Sequence, residues 1–192
     1  MTEKASRQRL VAGAADLLSR RGVKATSIRE LAKHAQAPLG STYHYFPGGK
    51  AQLVTEAVRF IGGKVSEVLA KSLERGPVSG LQEFLALWRH EVVRSDYRAG
   101  CPVLSVAVEE PDDEESRAAL TVAEAVFADW IGLLTRSLSE HGVDDEQARQ
   151  LATLVVASVE GAIALCRARR SAEPLEQVST QLEALIRQAL GE

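Results

Sequence analysis

The feature that most constrains the fold is a pair of short helical segments with sharp boundaries between residues 27 and 46. Ser27 and Glu30 form a capping-box pattern, in which the serine hydroxyl accepts from the Glu30 amide and the glutamate side chain reaches back. Pro38 can open a new helix but cannot continue the preceding one, and Pro47-Gly48-Gly49 stops the second segment. Two short helices separated by a tight turn indicate a helix-turn-helix.

The rest of the sequence also favours helices, because apolar residues recur at helical spacing and no convincing strand or internal repeat is present. A first helix ends at Gly22, directly after Arg20-Arg21, which suit a helix C-terminus. Further helices are predicted near residues 50–75, 79–97, 115–140, 145–169 and 174–190. The apolar segment 101–110 fits either a short buried helix or an irregular stretch. The pattern predicts an all-α protein of about nine helices.

The net charge of −3 conceals an uneven distribution along the chain. Residues 1–50 contain nine Lys or Arg and three Asp or Glu, which gives +6; the totals of 23 and 26 then leave −9 for residues 51–192. A basic segment that contains the helix-turn-helix is typical of a surface that approaches a polyanion. The charge pattern therefore favours nucleic acid as a partner of the N-terminal segment.

The stretch LAKHAQAPLGSTYHYFPGGKAQL, residues 31–53, resembles the DNA-binding signature of the tetracycline-repressor (TetR) family. The matching residues are Ala32, Ala35, Gly40, Ser41, Tyr43, Tyr45, Phe46, Lys50 and Leu53, preceded by Thr26-Ser27. The segment GCPVLSVAVEE, residues 100–110, is similar to the branch that contains the lincomycin-resistance regulators. The resemblance implies a three-helix helix-turn-helix DNA-binding domain at residues 1–49 and a larger helical effector-binding and dimerisation domain at residues 50–192.

Three positions depart from the family pattern. Gln36-Ala37 stand where Gly-Val is usual, which predicts a turn of different conformation. Pro38 replaces the common serine or threonine and removes a hydroxyl that can cap a helix. One additional residue separates Phe46 from Lys50, as in the same branch of the family, so Lys50 remains a candidate contact.

The resemblance places the third helix in the major groove, where the N-terminal residues of a recognition helix contact base edges. Gly40 permits close approach to the DNA, Ser41 can bond a base edge or a phosphate, and Leu39 can contact a thymine methyl group. The residues expected on the opposite side of this helix, in the core, are Thr42, Tyr45 and Phe46.

Other residues are expected to contact the DNA backbone. Ser27 and Lys50 lie at helix starts, where free amides and the helix dipole favour phosphate. Tyr43 can bond a phosphate from the helix flank, and His44 fits either that role or a simple surface position. The complete set of predicted DNA contacts is Ser27, Arg29, Pro38, Leu39, Gly40, Ser41, Tyr43, His44 and Lys50.

The resemblance also implies an effector site within residues 51–140 and a homodimer interface on the last two long helices, near 145–169 and 174–190. Wide apolar stripes on those helices favour the interface, because soluble monomers rarely expose large apolar patches. The residues expected to line a pocket for a small hydrophobic effector are Phe84, Trp88, Tyr97, Cys101, Phe127 and Trp130. Each of them also fits a plain core position.

An enzyme is not expected. No Gly-x-Ser-x-Gly elbow is present, and Gly49-Lys50 lacks the remainder of a P-loop. The four histidines are scattered without zinc-ligand spacing, so neither a metal nor a cofactor is expected. The chain lacks an export signal and an uninterrupted apolar stretch of membrane-spanning length, which predicts a cytoplasmic protein without a membrane partner.

The predicted function is a ligand-responsive repressor that binds a palindromic operator in double-stranded DNA as a homodimer and is released by a small-molecule effector. The alternative is a regulator that senses redox state through Cys101 instead of a ligand. That role requires an accessible thiol of low pKa. The apolar flanks of Cys101 favour a buried structural thiol, and Cys166 is likewise expected to be reduced.

Overall fold

The computed structural model describes residues 3–111 and 113–192, and it describes the side chains of these residues except 3–5 and 115. Over those ranges every regular secondary-structure element is a helix. The helices are α1 (Glu3–Arg21), α2 (Ile28–His34), α3 (Leu39–Tyr45), α4 (Gly49–Leu73), α5 (Pro77–Arg94), α6 (Pro102–Ala107), α7 (Glu114–Glu140), α8 (Asp145–Arg169) and α9 (Glu173–Leu190). The all-α prediction is confirmed, and the segment left open at 101–110 contains the short helix α6.

The chain divides into two compact units. The first contains the residues up to Gly63 together with Cys101–Val126, and the second contains Lys64–Gly100 and Phe127–Glu192. Helices α4 and α7 each contribute residues to both units. This is a structural division, and the functional boundary between residues 49 and 50 stays a prediction.

In the first unit, α1 packs against α2 and α6, and α2 packs against α3. The residues fully buried in this unit include Leu10, Leu17, Leu18, Leu31, Phe46 and Leu53. Ser27 caps α2 as predicted, because its hydroxyl accepts from the Glu30 amide at 3.1 Å. The prediction that the Glu30 side chain reaches back to the Ser27 amide is wrong, because the Glu30 carboxylate lies 3.1 Å from the Arg21 guanidinium instead.

The turn between α2 and α3 places a glutamine in a conformation that favours glycine. Gln36 has φ +50°, in the left-handed region, and the Ala37 amide donates to the Ala32 carbonyl at 2.9 Å. Pro38 has extended backbone and lies at the N-cap of α3, one position before the first helical residue. The departure from the family pattern therefore leaves a locally unfavourable residue in the turn.

In the second unit, α5, α8 and α9 pack against one another. Asp144 caps α8 by accepting from the Glu146 and Gln147 amides at 3.1 and 3.2 Å. At the other end of α8, Arg170 donates to the Asp96 carboxylate at 2.7 Å, and this hydrogen bond lowers the pKa of Asp96. The ion pair ties the turn that follows α5 to the turn that follows α8.

Two helical stretches, Ser116–Glu140 and Asp145–Arg169, are long and apolar enough for a membrane span by length and composition alone. Core helices of soluble proteins satisfy the same criterion. The buried side of α8 includes Val155, Val159 and Ile163, so part of its apolar surface is already used inside the chain.

Replacement of Gln36 by glycine is expected to raise the free energy of unfolding by roughly 0.5–1 kcal/mol, because glycine adopts positive φ without the steric cost paid by glutamine. The matched change in the opposite direction is Gly22→Ala, which should lower the free energy of unfolding. Gly22 has φ +73° and a Cβ there would meet no atom within 4 Å, so only the backbone conformation is penalised. Equilibrium denaturation at one protein concentration measures both, and a Gln36→Gly variant less stable than the wild type would contradict this assignment.

Candidate nucleic-acid interface

Helix α3 has a buried side that fixes its orientation. Thr42 and Phe46 are both 0% exposed, as predicted for core residues, and Tyr45 is half-buried. The Thr42 hydroxyl donates to the Pro38 carbonyl at 3.0 Å, so the polar group of this buried residue is satisfied within the helix. The packing of these residues determines which side of α3 remains exposed.

The other side of α3 consists of Leu39, Gly40, Ser41, Tyr43 and His44, here called the exposed α3 face. Leu39 is 39% exposed and Tyr43 is 53% exposed, which is high for large apolar side chains. A Cβ at Gly40 would meet no atom within 4 Å, so the packing of the chain does not require glycine there. The absence of a side chain at Gly40 therefore leaves room for a partner to approach the backbone.

Several basic residues of the first unit are neutralised by carboxylates of the same unit. Ion pairs join Arg20 to Asp16 at 2.9 Å, Arg21 to Glu30 at 3.1 Å, Arg7 to Glu56 at 2.5 Å and Lys24 to Glu109 at 3.5 Å. By contrast, Arg29, Lys33 and Lys50 are exposed and form no ion pair within the described ranges. These three cations are available to an external anion.

Lys33 was missed in the sequence analysis. It lies four residues after Arg29 on α2, and both side chains are exposed. Residues four apart lie on the same side of a helix, so this spacing could have identified Lys33 beside Arg29. The candidate interface therefore contains one cation more than the sequence predicted.

Lys50 is the second residue of α4 and follows a turn that contains the additional residue of this branch. Gly49 has φ +66° and its amide donates to the Phe46 carbonyl at 2.9 Å. The Gly48 amide donates to the Gln52 side chain, also at 2.9 Å. Glycine at position 49 allows this conformation, which accommodates the longer spacing between Phe46 and Lys50.

Of the nine residues predicted to contact DNA, eight are exposed and Ser27 is half-buried at the N-cap of α2. All nine belong to the first compact unit. Exposure is required for a contact but does not demonstrate one, so their roles stay predictions.

Four of the six predicted effector contacts form an aromatic cluster in the second unit: Phe84, Trp88, Phe127 and Trp130. Trp130 contacts each of the other three rings and Phe84 also contacts Trp88, with ring centroids 5.6 to 6.3 Å apart in edge-to-face geometry. The Trp88 indole is buried, yet its Nε1 has no hydrogen-bond partner among the described residues. A buried N–H without an acceptor is costly.

The other two predicted effector contacts lie outside this aromatic cluster. Tyr97 is half-buried in the turn after α5 and has φ +57°. Cys101 belongs to the first unit, at the N-cap of α6, and is 3% exposed. This burial does not provide the accessible thiol that redox sensing requires. Burial also raises the pKa of the Cys166 thiol.

The helix-turn-helix, the exposed α3 face and the unpaired cations of the same unit define a DNA-binding protein of the all-helical class. A family profile described as bacterial regulatory proteins of the tetR family matches residues 10–57, and one described as the LmrA/YxaF-like transcriptional regulator C-terminal domain matches residues 77–181. The chain belongs to the TetR family of transcriptional regulators, in its LmrA/YxaF-like branch.

Individual comparisons agree. An HTH-type transcriptional regulator of Mycobacterium tuberculosis is 38% identical over 189 residues, which cover 97% of this chain and 96% of that protein. YxaF of Bacillus subtilis is 32% identical over 184 residues, 95% of each chain. The crystal structure of a TetR transcriptional regulator from Legionella pneumophila has a TM-score of 0.84 at 21% identity, covering 96% of this chain and 97% of that one. The relatives are regulators and not enzymes, as predicted.

Proposed function

We propose that this protein is a cytoplasmic, ligand-responsive repressor that binds a palindromic operator as a homodimer and releases it when a small hydrophobic effector binds. The observation that carries the DNA-binding part is the exposed α3 face together with three unpaired cations. Arg29 and Lys33 lie on α2, which packs against α3, and Lys50 lies at the start of α4, the next helix along the chain. These cations form no ion pair within the described ranges, so phosphate can neutralise them without breaking an existing contact.

Within this proposal, Leu39, Gly40 and Ser41 contact base edges, because they form the exposed N-terminal turn of α3. The phosphate contacts come from the residues around that turn: Ser27, Arg29, Lys33, Tyr43, His44 and Lys50. Pro38, which has no hydrogen-bond donor, contributes only apolar contact to the DNA. Phosphate contacts fix the position of the protein on DNA, whereas base contacts provide sequence preference. Two-fold symmetry then requires two half-sites, about 34–36 Å apart or a multiple of that distance.

The proposed dimer interface uses apolar residues that the chain leaves exposed. Leu154 and Leu165 on α8 are 43% and 50% exposed, and Leu185 on α9 is 39% exposed. The small residues Ala157 and Gly161 lie between the two exposed leucines of α8 and are also exposed, which permits close approach of a second helix. A dimer would cover these side chains and remove their apolar surface from water.

The proposed effector site is the aromatic cluster with the unpartnered Trp88 Nε1. A ligand there would combine an apolar body with a hydrogen-bond acceptor. Helix α4 contributes residues to both compact units and carries Lys50 at its start. A ligand that favours one position of α4 would alter the separation of the two recognition helices in a dimer, and binding to two half-sites tolerates little error in that separation.

The DNA contacts can be tested with single lysine variants. Lys50→Ala and Lys33→Ala should each weaken binding to all DNA sequences and reduce the salt-dependence slope by about one, because each removes one phosphate contact. The control is Lys71→Ala, an exposed lysine of the second unit without an ion pair in the described ranges. Fluorescence anisotropy over a salt series measures the slope on selected and random duplexes. An unchanged slope for Lys50→Ala would refute its phosphate contact.

The dimer can be tested by placing a charge in the proposed interface. Leu165→Glu should weaken dimerisation by about 2 kcal/mol or more, because the carboxylate would be buried without a partner in both copies. Val93→Glu is the matched control, since Val93 is 42% exposed on α5. Light scattering should show a dimer for the wild type and the control at micromolar concentration. A wild-type monomer would exclude the proposed assembly.

Effector release can be tested by reciprocity. A ligand found by thermal-shift screening should bind more weakly in the presence of saturating operator, by a coupling of about 1–3 kcal/mol. Trp88→Phe should reduce its affinity, because the variant keeps an aromatic ring but lacks the indole N–H. Calorimetric titration with and without operator measures both effects. Equal affinities in the two titrations, for every stabilising ligand, would leave a DNA-binding protein without the proposed switch.

A further inference from the structure

A cavity of about 440 Å³ lies within the first compact unit. Its walls come from the turn after α1, the start of α4, the end of α6 and the start of α7. None of the six residues predicted as effector contacts lines it. The volume falls within the range of small-molecule sites, roughly 300–1,000 Å³. The cavity is therefore a candidate site separate from the one proposed for the effector.

The interior of this cavity is apolar. Val54 on α4, Val106 on α6 and Ala119 on α7 line it, and each is almost fully buried. Val23 and Leu120 extend the same lining. A molecule that fills the cavity must therefore present an apolar body to these side chains.

The rim of the cavity carries two lysines and three carboxylates, most of which already have partners. The Lys24 ammonium lies 3.5 Å from the Glu109 carboxylate, and the Asp113 carboxylate accepts from the Ser116 amide at 2.7 Å at the start of α7. Two opposite charges of the rim remain, Lys50 and Glu110.

Lys50 and Glu110 both line the cavity and are both exposed. Neither forms an ion pair within the described ranges, with the other or with any third residue. Because both charged residues line one cavity whose buried walls are apolar, the cavity is complementary to a molecule that carries both charges and an apolar body. A ligand with one charge would leave one rim group unmatched.

We propose that this cavity binds a small zwitterion with an apolar body, such as a large apolar α-amino acid. The ligand carboxylate lies at the Lys50 ammonium, the ligand ammonium lies at the Glu110 carboxylate, and the body contacts Val54 and Val106. This binding requires no DNA and goes beyond the proposed function. If Lys50 also contacts a phosphate, as proposed above, the ligand and the operator share that lysine.

Three indole compounds of matched body test the charge requirement on the full chain: free tryptophan carries both charges, tryptamine only the cation, and indole-3-propionate only the anion. Calorimetry and ligand-observed NMR should show tryptophan bound about two- to five-fold more tightly than either analogue, since each exposed charge pair contributes modestly. The proposal would be overturned if tryptophan did not bind, or if it bound no more tightly than tryptamine or no more tightly than indole-3-propionate.

Variants locate the binding. Lys50→Gln and Glu110→Gln should each weaken tryptophan binding about two- to five-fold, and Ala51→Leu should weaken it more than ten-fold, because the larger side chain fills the cavity from α4. Lys71→Gln, at an exposed lysine of the second unit, is the matched control and should leave the affinity unchanged. Thermal unfolding confirms that each variant is folded. Wild-type affinity in Lys50→Gln and Glu110→Gln, or an equal loss of affinity in Lys71→Gln, would refute this site.

Discussion

The candidate nucleic-acid interface depends on the packing of one seven-residue helix, α3. Isolated helices shorter than about 12–15 residues are marginal in water, so α3 cannot be stable by itself. Thr42 and Phe46 supply the missing stability through complete burial, and the Arg7 guanidinium lies 5.6 Å from the centroid of the Phe46 ring. Which residues of α3 face outward follows from which ones are buried. Core packing therefore determines which side chains of α3 are available to the candidate interface.

Ion pairs reduce the effective positive charge of the N-terminal segment. Formal counting assigns +6 to residues 1–50, but four of the cations in that segment lie within 4.0 Å of carboxylates, including those of Glu56 and Glu109 outside it. An internal ion pair leaves little field for a distant polyanion, because the two charges cancel at a distance. Arg29, Lys33 and Lys50 therefore account for more of the available positive potential than their number suggests.

Local patterns were sufficient to predict the helices and much of the candidate interface from sequence. Ser27 was recognisable as a cap, and Thr42 and Phe46 as core residues, because these assignments depend on neighbours a few residues away. Contacts between distant segments were not accessible in this way. The pairing of Glu30 with Arg21 competes with the capping box, and only the folded chain brings those two side chains together. For the same reason, the sequence grouped Tyr97 and Cys101 with the aromatic residues as effector contacts, although the folded chain places both outside the aromatic cluster. Residue type alone does not show which residues meet.

The apolar stripes of α8 and α9 show why hydrophobic periodicity gives an incomplete account of assembly. Within the stripe of α8, Val155 and Val159 are buried inside the chain while Leu154 and Leu165 are exposed. Because one period describes both sets, the sequence shows a wide apolar surface but not how it is divided between the core and a partner. The division has a physical consequence for the proposed dimer. A substitution at Val159 would remove core packing and destabilise each chain, whereas a substitution at Leu165 would act on the association of two chains that are already folded. Folding and assembly can therefore be varied separately on one helix.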